Sequence, residues 1–302
     1  MLPFARVSVI GIGLIGSSLT RAIRARMPTV HLSVHDADPQ VRERLLELDL
    51  ADDVADSPGA AVIDADLVVL AVPVLAMMKV AAQIAPDLPA GCVVSDTGSV
   101  KASVLADLAE ALPEGTAIIP AHPVAGTENS GPDAGFAALF DGRWCILTPP
   151  AGANAFAVAR VSEFWSRLGA KVEIMDAAHH DLVLAVTSHL PHLIAYSIVG
   201  TASDLESVTR SEVIKYSAGG FRDFTRIAAS DPVMWRDVFL SNKDAVLDVL
   251  QRFSEDLTAL QRAIRWGDGN YLEALFTRTR AVRRGIVDEG QDTGDADFGR
   301  RR

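Results

Sequence analysis

The sequence predicts an α/β chain: a doubly wound parallel sheet followed by an all-helical second domain. Three observations carry that expectation. Short β-branched runs alternate with helical stretches through the first half of the 302 residues. A glycine loop, Gly11-Ile12-Gly13-Leu14-Ile15-Gly16, stands between the first such run and the first helical stretch. The strand signal then stops near Asp176, and from Ala177 onward only helix is legible. Strands alternating with helices imply parallel pairing, with ligands collected at the carboxyl ends of the strands.

Composition narrows the function. A chain of 302 residues with 49% hydrophobic and 22% charged residues fits two well-buried globular domains. The net charge of −11 disfavours nucleic acid and anionic membranes, so an anionic small substrate requires a local cluster of arginine or histidine. Cys92 and Cys145 each lie inside an apolar strand-like run, with neither CxxC nor metal-ligand spacing. They read as reduced core residues, and the N-terminal apolar run reads as a strand rather than a signal peptide, so a cytoplasmic location is expected. The segment from Leu182 to Thr201 lacks Asp, Glu, Lys and Arg and is nearly long enough to span a bilayer. It holds Thr187, Ser188, His189, Pro191 and His192, a costly set in lipid, so a buried helix is expected and no membrane span.

In chain order, Val7–Ile10 is a buried strand, and the glycine loop leads into a helix from Ser17. Gly11 permits the tight turn, Gly13 lets a pyrophosphate approach the backbone, and Gly16 lets helix and strand pack closely. A second strand, Val30–His35, ends in Asp36, 20 residues after Gly16, where a carboxylate binds the adenosine ribose hydroxyls. No arginine follows directly, so this Rossmann-type domain is expected to take NAD rather than NADP. Further strands end at Val72-Pro73, at Asp96-Thr97-Gly98-Ser99, and at Ile119 shortly before His122. The glycine loop, Asp36, Pro73, Ser99 and His122 should therefore line one crevice. Cofactor contacts are expected at Gly11, Gly13, Leu14, Ile15, Gly16, Asp36, Val72, Pro73 and Ser99. Strands at Trp144–Leu147 and Lys171–Met175 bracket a helix near Ala155–Leu168 and extend the nucleotide-binding domain over residues 1–176.

Residues 177–287 read as helices at about Ala178–Thr201, Ser207–Tyr216, Pro232–Trp266 and Tyr271–Val287. In the long one, Val246, Val249, Leu250, Phe253, Leu257, Leu260 and Ile264 form an amphipathic stripe. Such a stripe after a nucleotide-binding domain predicts burial against a second copy, a homodimer. The polar, glycine-rich tail, 288–302, is expected to be disordered.

Several residues have chemistry to offer. His122, followed by Pro123, lies at the mouth of the sheet, with Glu128 six positions on as an ionic partner for a ligand. Ser188 and His192 are four apart and share a helical face, and Pro191 between them should kink the helix. His189-Leu190-Pro191-His192, with His179 and His180 nearby, lacks a carboxylate at ligand spacing, so no metal is expected. Gly219-Gly220 precedes Arg222, Asp223 and Arg226; Asp223 is placed to hold an arginine that forks a carboxylate.

Four ordered motifs, Asp96-Thr97-Gly98-Ser99-Val100-Lys101, His122-Pro123-Val124-Ala125-Gly126-Thr127-Glu128 with Ser130-Gly131, Ser188-His189-Leu190-Pro191-His192, and Phe224-Thr225-Arg226-Ile227-Ala228, resemble the prephenate/arogenate dehydrogenase family of tyrosine biosynthesis, over about residues 6–285. The resemblance implies oxidative decarboxylation of a cyclohexadienol with hydride transfer to NAD. It implies that His122 accepts the ring-hydroxyl proton and that Ser99 bridges His122 and the nicotinamide. It further implies that Ser188, His192 and Arg226 bind substrate, Arg226 through a carboxylate. Glu128 and Asp223 match acidic partners of that arginine, and Trp235 matches a tryptophan near the pocket, contributed across a dimer. Two other readings explain fewer of these residues. A β-hydroxyacid-type dehydrogenase would use a lysine in the helical domain, where the only lysines are Lys215 and Lys243, neither on the helix with the histidines. A non-catalytic NAD-binding sensor leaves Ser99, His122, His192 and Arg226 without a purpose.

Overall fold

The computed structural model describes residues 2–127, 129–209, 215 and 219–288. Six strands, β1 (Arg6–Ile10), β2 (His31–His35), β3 (Asp53–Val54), β4 (Leu67–Leu70), β5 (Val93–Asp96) and β6 (Ala117–Ile118), form one sheet in the order β3-β2-β1-β4-β5-β6. Every neighbouring pair is parallel. The order reverses direction between β1 and β4, which opens a crevice outside their carboxyl ends.

Alternation along these strands sends side chains to two apolar layers. Val7, Val9, Leu32, Val34, Leu67 and Val69 pack on one side with helices α1 (Leu14–Arg26), α2 (Pro39–Leu48) and α6 (Ala155–Arg167). Ile10, Val68, Leu70 and Val94 pack on the other with α4 (Met77–Ile84) and α5 (Ala102–Ala111). A short α3 (Pro58–Val62) precedes β4, and sequence patterning showed neither it nor the two-residue β3. Strands covered on both faces read as continuous hydrophobic runs, which is why β1, β4 and β5 were visible from sequence.

His122 corrects one expectation. It lies inside a strand, β7 (Ala121–Pro123), not in a loop beyond one. That strand pairs antiparallel with β8 (Trp144–Leu147), which pairs parallel with β9 (Lys171–Ile174) in a separate three-stranded sheet. Ile119 still donates its N–H to Val94 O of the main sheet, whereas Thr148 N donates to Pro120 O in the second. Pro120 has no N–H to continue the first ladder, so the chain changes sheets there.

The helical region begins with α7 (Ala177–Leu184), a single π turn over Ala185–His189, and α8 (Leu190–Thr209). The π turn lies just before Pro191, whose missing N–H and bulky ring disfavour a regular α turn. The helix expected over 207–216 falls largely outside the described residues, as do 289–302 of the expected tail. Helices α9 (Gly219–Thr225), α10 (Pro232–Ser241), α11 (Lys243–Trp266) and α12 (Gly269–Asp288) follow. The single helix expected over Pro232–Trp266 is thus interrupted at Asn242, whose side chain is taken up by tertiary hydrogen bonds to Asp181 O and His189 Nδ1.

The chain forms two compact units, Met1–Val246 and Leu247–Arg302. In the first, residues past 176 continue to pack on the sheet: Trp235 and Val238 of α10 share an apolar cluster with Val74 and Met77. In the second, Gly267 turns the chain with φ +71° and Asp268 caps the next helix by accepting from Tyr271 N at 3.0 Å. Leu257 and Ile264 of the predicted stripe are 48% and 68% exposed, so one chain alone does not bury it.

Candidate active site

The glycine loop fits a dinucleotide. Gly11 has φ +92°, and a Cβ there would lie 2.6 Å from Ala71 O. A Cβ on Gly16 would lie 1.9 Å from Gly11 O, so only glycine lets α1 pack this closely on β1. At Gly13 a Cβ would meet nothing within 4 Å: that side is open. Gly13 is also the N-cap of α1, with no side-chain cap and no acidic residue in the first turn, which leaves free N–H donors for a phosphate. Leu14 and Ile15, half-buried, form that first turn. Asp36 is tied to the loop, accepting from Ile12 N at 2.7 Å and from Asp38 N at 2.9 Å. Arg42, six residues on, donates to Asp36 O at 2.8 Å and Ala37 O at 3.2 Å, an arginine that sequence reading passed over. Val72 is half-buried against Gly11, and Pro73 is exposed at the head of a 3-10 turn over Val74–Ala76.

On the other side of the crevice, polar groups fix the catalytic candidates from below. The Lys101 ammonium pairs with the Asp96 carboxylate, both fully buried, and donates to Ala121 O at 2.8 Å. Asp96 also accepts from Gly98 N at 2.7 Å and from Ala121 N at 3.3 Å. The motif 96–101 therefore closes on itself and holds β7 by the residue preceding His122. Burial pushes Asp96 up and Lys101 down, and each opposes the other's shift.

His122 is 7% exposed, and its Nδ1 lies 2.8 Å from His180 Nε2. His180 Nδ1 lies 2.8 Å from Asp181 Oδ1. The Asp181 carboxylate accepts from Lys101 N at 2.8 Å and Ala102 N at 2.9 Å, which seats it at the start of α5. His122 Nε2 makes no hydrogen bond among the described residues. Ser99 is half-buried and makes no hydrogen bond to His122; its carbonyl faces His189.

His192 Nδ1 lies 2.8 Å from Ser188 O, and its ring stacks on Trp235 at 3.7 Å and 23°. Trp235 is 6% exposed and meets His192 of the same chain. It is buried because α10 packs on the sheet domain. Arg226 opens a 3-10 turn over Arg226–Ala229 directly after α9, which carries Arg222. Both Arg226 and Asp223 are exposed, and the Arg226 charge reaches His192. Glu128 lies outside the described residues.

Structure thus brings His122, Ser99 and His192 to one end of the sheet domain. It adds His180, Asp181, Asn242 and the Asp96–Lys101 pair as their support. His180 and Asp181 are adjacent in the sequence, but nothing there points to His122, 58 positions earlier.

Comparison with known proteins identifies the family. The model of the prephenate dehydrogenase nucleotide-binding domain matches residues 19–174, and that of the prephenate dehydrogenase dimerization domain matches 176–278. The chain belongs to the prephenate dehydrogenase family. A cyclohexadienyl dehydrogenase of Zymomonas mobilis is 48% identical over 94% of this chain and 96% of its own length. A prephenate dehydrogenase of Bacillus subtilis is 32% identical over 91% of this chain and 74% of its own. Among solved structures, a prephenate dehydrogenase of A. aeolicus in complex with hydroxyphenyl propionate and NAD+ is 32% identical, with a TM-score of 0.86 over 95% of this chain and 98% of that one.

In this prephenate dehydrogenase homologue the site histidines are held neutral. Burial drives His122 well below its ordinary value, assisted by the charges of His180, Lys101 and His189. Burial lowers His180 against the pull of Asp181, and His192 against that of the Ser188 carbonyl. His189 falls to about 4, again through burial. A histidine depressed in the folded state stays unprotonated there while the unfolded chain takes up protons. Its stabilising contribution is therefore full above about pH 6.5 and is lost as pH falls toward the folded values. We expect the melting temperature to fall as pH drops from about 6.5 toward 4, measured by calorimetry, with a weaker fall in His189→Asn. An unchanged melting temperature over that range would show these histidines to be solvated.

Proposed function

We propose that the chain catalyses NAD-dependent oxidative decarboxylation of prephenate, arogenate or both, giving 4-hydroxyphenylpyruvate or tyrosine in tyrosine biosynthesis. The observation that carries this reading is His122, whose Nδ1 is engaged by His180 and whose Nε2 is left to meet a substrate hydroxyl beside the glycine-loop crevice. When bound, NAD accepts the hydride from the carbon that bears that hydroxyl. His122 Nε2 takes the hydroxyl proton, and a neutral imidazole suits this task near pH 7. Ser99 orients the hydroxyl and the nicotinamide. Loss of carbon dioxide aromatises the ring, so the ring carboxylate needs no strong cationic partner. Arg226 binds a carboxylate of the substrate, with Asp223 and Glu128 as its acidic partners, while Ser188, His192 and Trp235 shape the pocket.

Homodimerisation is part of this proposal. Leu182, Val186, Ile198, Val199 and Leu205 on the helical stretch Ala177–Leu205 are 39–52% exposed, an apolar face suited to a second copy. That stretch is also apolar enough to cross a membrane by length and composition, but its site residues Ser188 and His192 favour a soluble, cytoplasmic enzyme. The family's dimerization-domain match supports the same reading.

For cofactor choice, the Asp36 carboxylate is placed to bind ribose hydroxyls and to repel a 2′-phosphate. Asp36→Ala is expected to weaken NAD about 10- to 100-fold, as for loss of charged hydrogen bonds, and to improve NADP. Equal use of NADP by the unmodified protein would contradict this assignment. The function is tested by following reduced nicotinamide with each substrate and each cofactor. Turnover with NAD and at least one of the two substrates is expected, and none with either would overturn the reading.

A further inference from the structure

The base proposed above has one lone pair to use and two nitrogens on which a proton can sit. For Nε2 to accept a proton, the neutral ring must carry its hydrogen on Nδ1. What selects that tautomer is legible in the chain of contacts behind it. Asp181 Oδ1 also accepts from Lys101 N, so its carboxylate acts as an acceptor here, and the His180 nitrogen 2.8 Å from it must be the donor. That puts the single hydrogen of neutral His180 on Nδ1 and leaves its Nε2 as an acceptor. Among the described residues the group it meets there is His122 Nδ1, at 2.8 Å, which must then donate.

We propose that His180, oriented by Asp181, is a positioning residue that locks His122 as the Nδ1–H tautomer, with Nε2 free for the substrate hydroxyl. This rests on the reading of His122 as the base. No proton travels through the chain: the hydroxyl proton ends on His122 Nε2, and the Nδ1 hydrogen stays between the two rings. The resulting imidazolium is stabilised by that hydrogen bond, which is backed by the Asp181 carboxylate.

The surroundings fit such a role. His180 is fully buried, and its ring meets His122 edge-on at 70°. The ionisable groups that act on it are Asp181 on its own helix, Lys101 at the start of α5 and Asp96 at the end of β5, besides His122 of β7 and His189 of the π turn. Asn242 donates to Asp181 O at 2.8 Å and anchors the backbone of this pair to α10 and α11. Asp96 and Lys101 neutralise each other, so Asp181 is the anion left to orient His180.

Two variants separate positioning from space-filling. His180→Gln places an amide oxygen near the former Nε2, able to accept from His122 Nδ1–H. His180→Leu fills similar space with no acceptor. We expect kcat to fall about 10- to 100-fold in His180→Leu, the size of a lost hydrogen bond to a charged group, with Gln recovering part of the loss. The KM for substrate and for NAD should change little in both. Nitrogen-15 spectra of histidine-labelled unmodified protein give a readout that needs no turnover. His122, assigned by its loss in His122→Asn, should be protonated at Nδ1 and bare at Nε2. A His122 that carries its hydrogen on Nε2, or a leucine variant that matches or exceeds the glutamine variant in kcat, would overturn the proposal. Correct tautomers in a protein that turns over neither substrate would instead sink the proposed function and leave the positioning intact.

Discussion

Replacing His122 by asparagine is expected to lower kcat by about 10²–10⁴, the usual cost of a lost general base. The amide can still hydrogen-bond the hydroxyl, so substrate binding should survive and KM change modestly. That pattern marks a group acting mainly in the transition state. The pH profile gives a second reading. The base must be unprotonated to work, so kcat/KM falls on the acidic side as His122 takes up a proton. Burial, with help from neighbouring cationic groups, puts that event well below the ordinary histidine value. The acidic limb is therefore expected below about pH 6.5 rather than at it, and it should vanish in the variant. A variant with near-normal kcat and an intact limb would place the base elsewhere, with His192 next in line.

Arg226→Ala is expected to raise the substrate KM steeply, by an amount corresponding to about 2–5 kcal/mol, while the KM for NAD stays near its original value. Much of that loss comes from the substrate carboxylate left without its partner. Arg226 lies beyond the end of α9, and its charge is felt at His192. Arg222→Ala is the control, since it stands on the preceding helix. If Arg222→Ala produces the larger change in KM, the two arginines have been assigned the wrong way round.

The glycine loop was legible because its requirement is set by backbone geometry. Gly11 and Gly16 each sit where a Cβ would strike a carbonyl oxygen, a constraint that a short local sequence carries entirely. His122 was legible as a residue but not as part of a strand. Ala117–Ile118 and Ala121–Pro123 are too short for alternation to show, and only Pro120 hints that the chain changes sheets between them. Asn242 reads as an ordinary polar position within a long helix. Its hydrogen bonds to Asp181 and His189 come from partners 61 and 53 residues earlier, which no local pattern reveals. The same holds for the stacking of His192 on Trp235. Groups that touch the ligand are marked by their chemistry, whereas the groups that hold them are chosen by packing.

Oxidation and decarboxylation belong to one event in this mechanism: hydride leaves the carbon whose hydroxyl proton goes to His122, and aromatisation expels the carboxyl group. Measuring NADH and carbon dioxide in the same reaction, with purified protein and either prephenate or arogenate, tests that coupling directly. Equal molar amounts of the two are expected throughout the time course, both falling together in His122→Asn. Carbon dioxide released in the absence of NAD, or NADH formed while the carboxyl group stays on the ring, would contradict it.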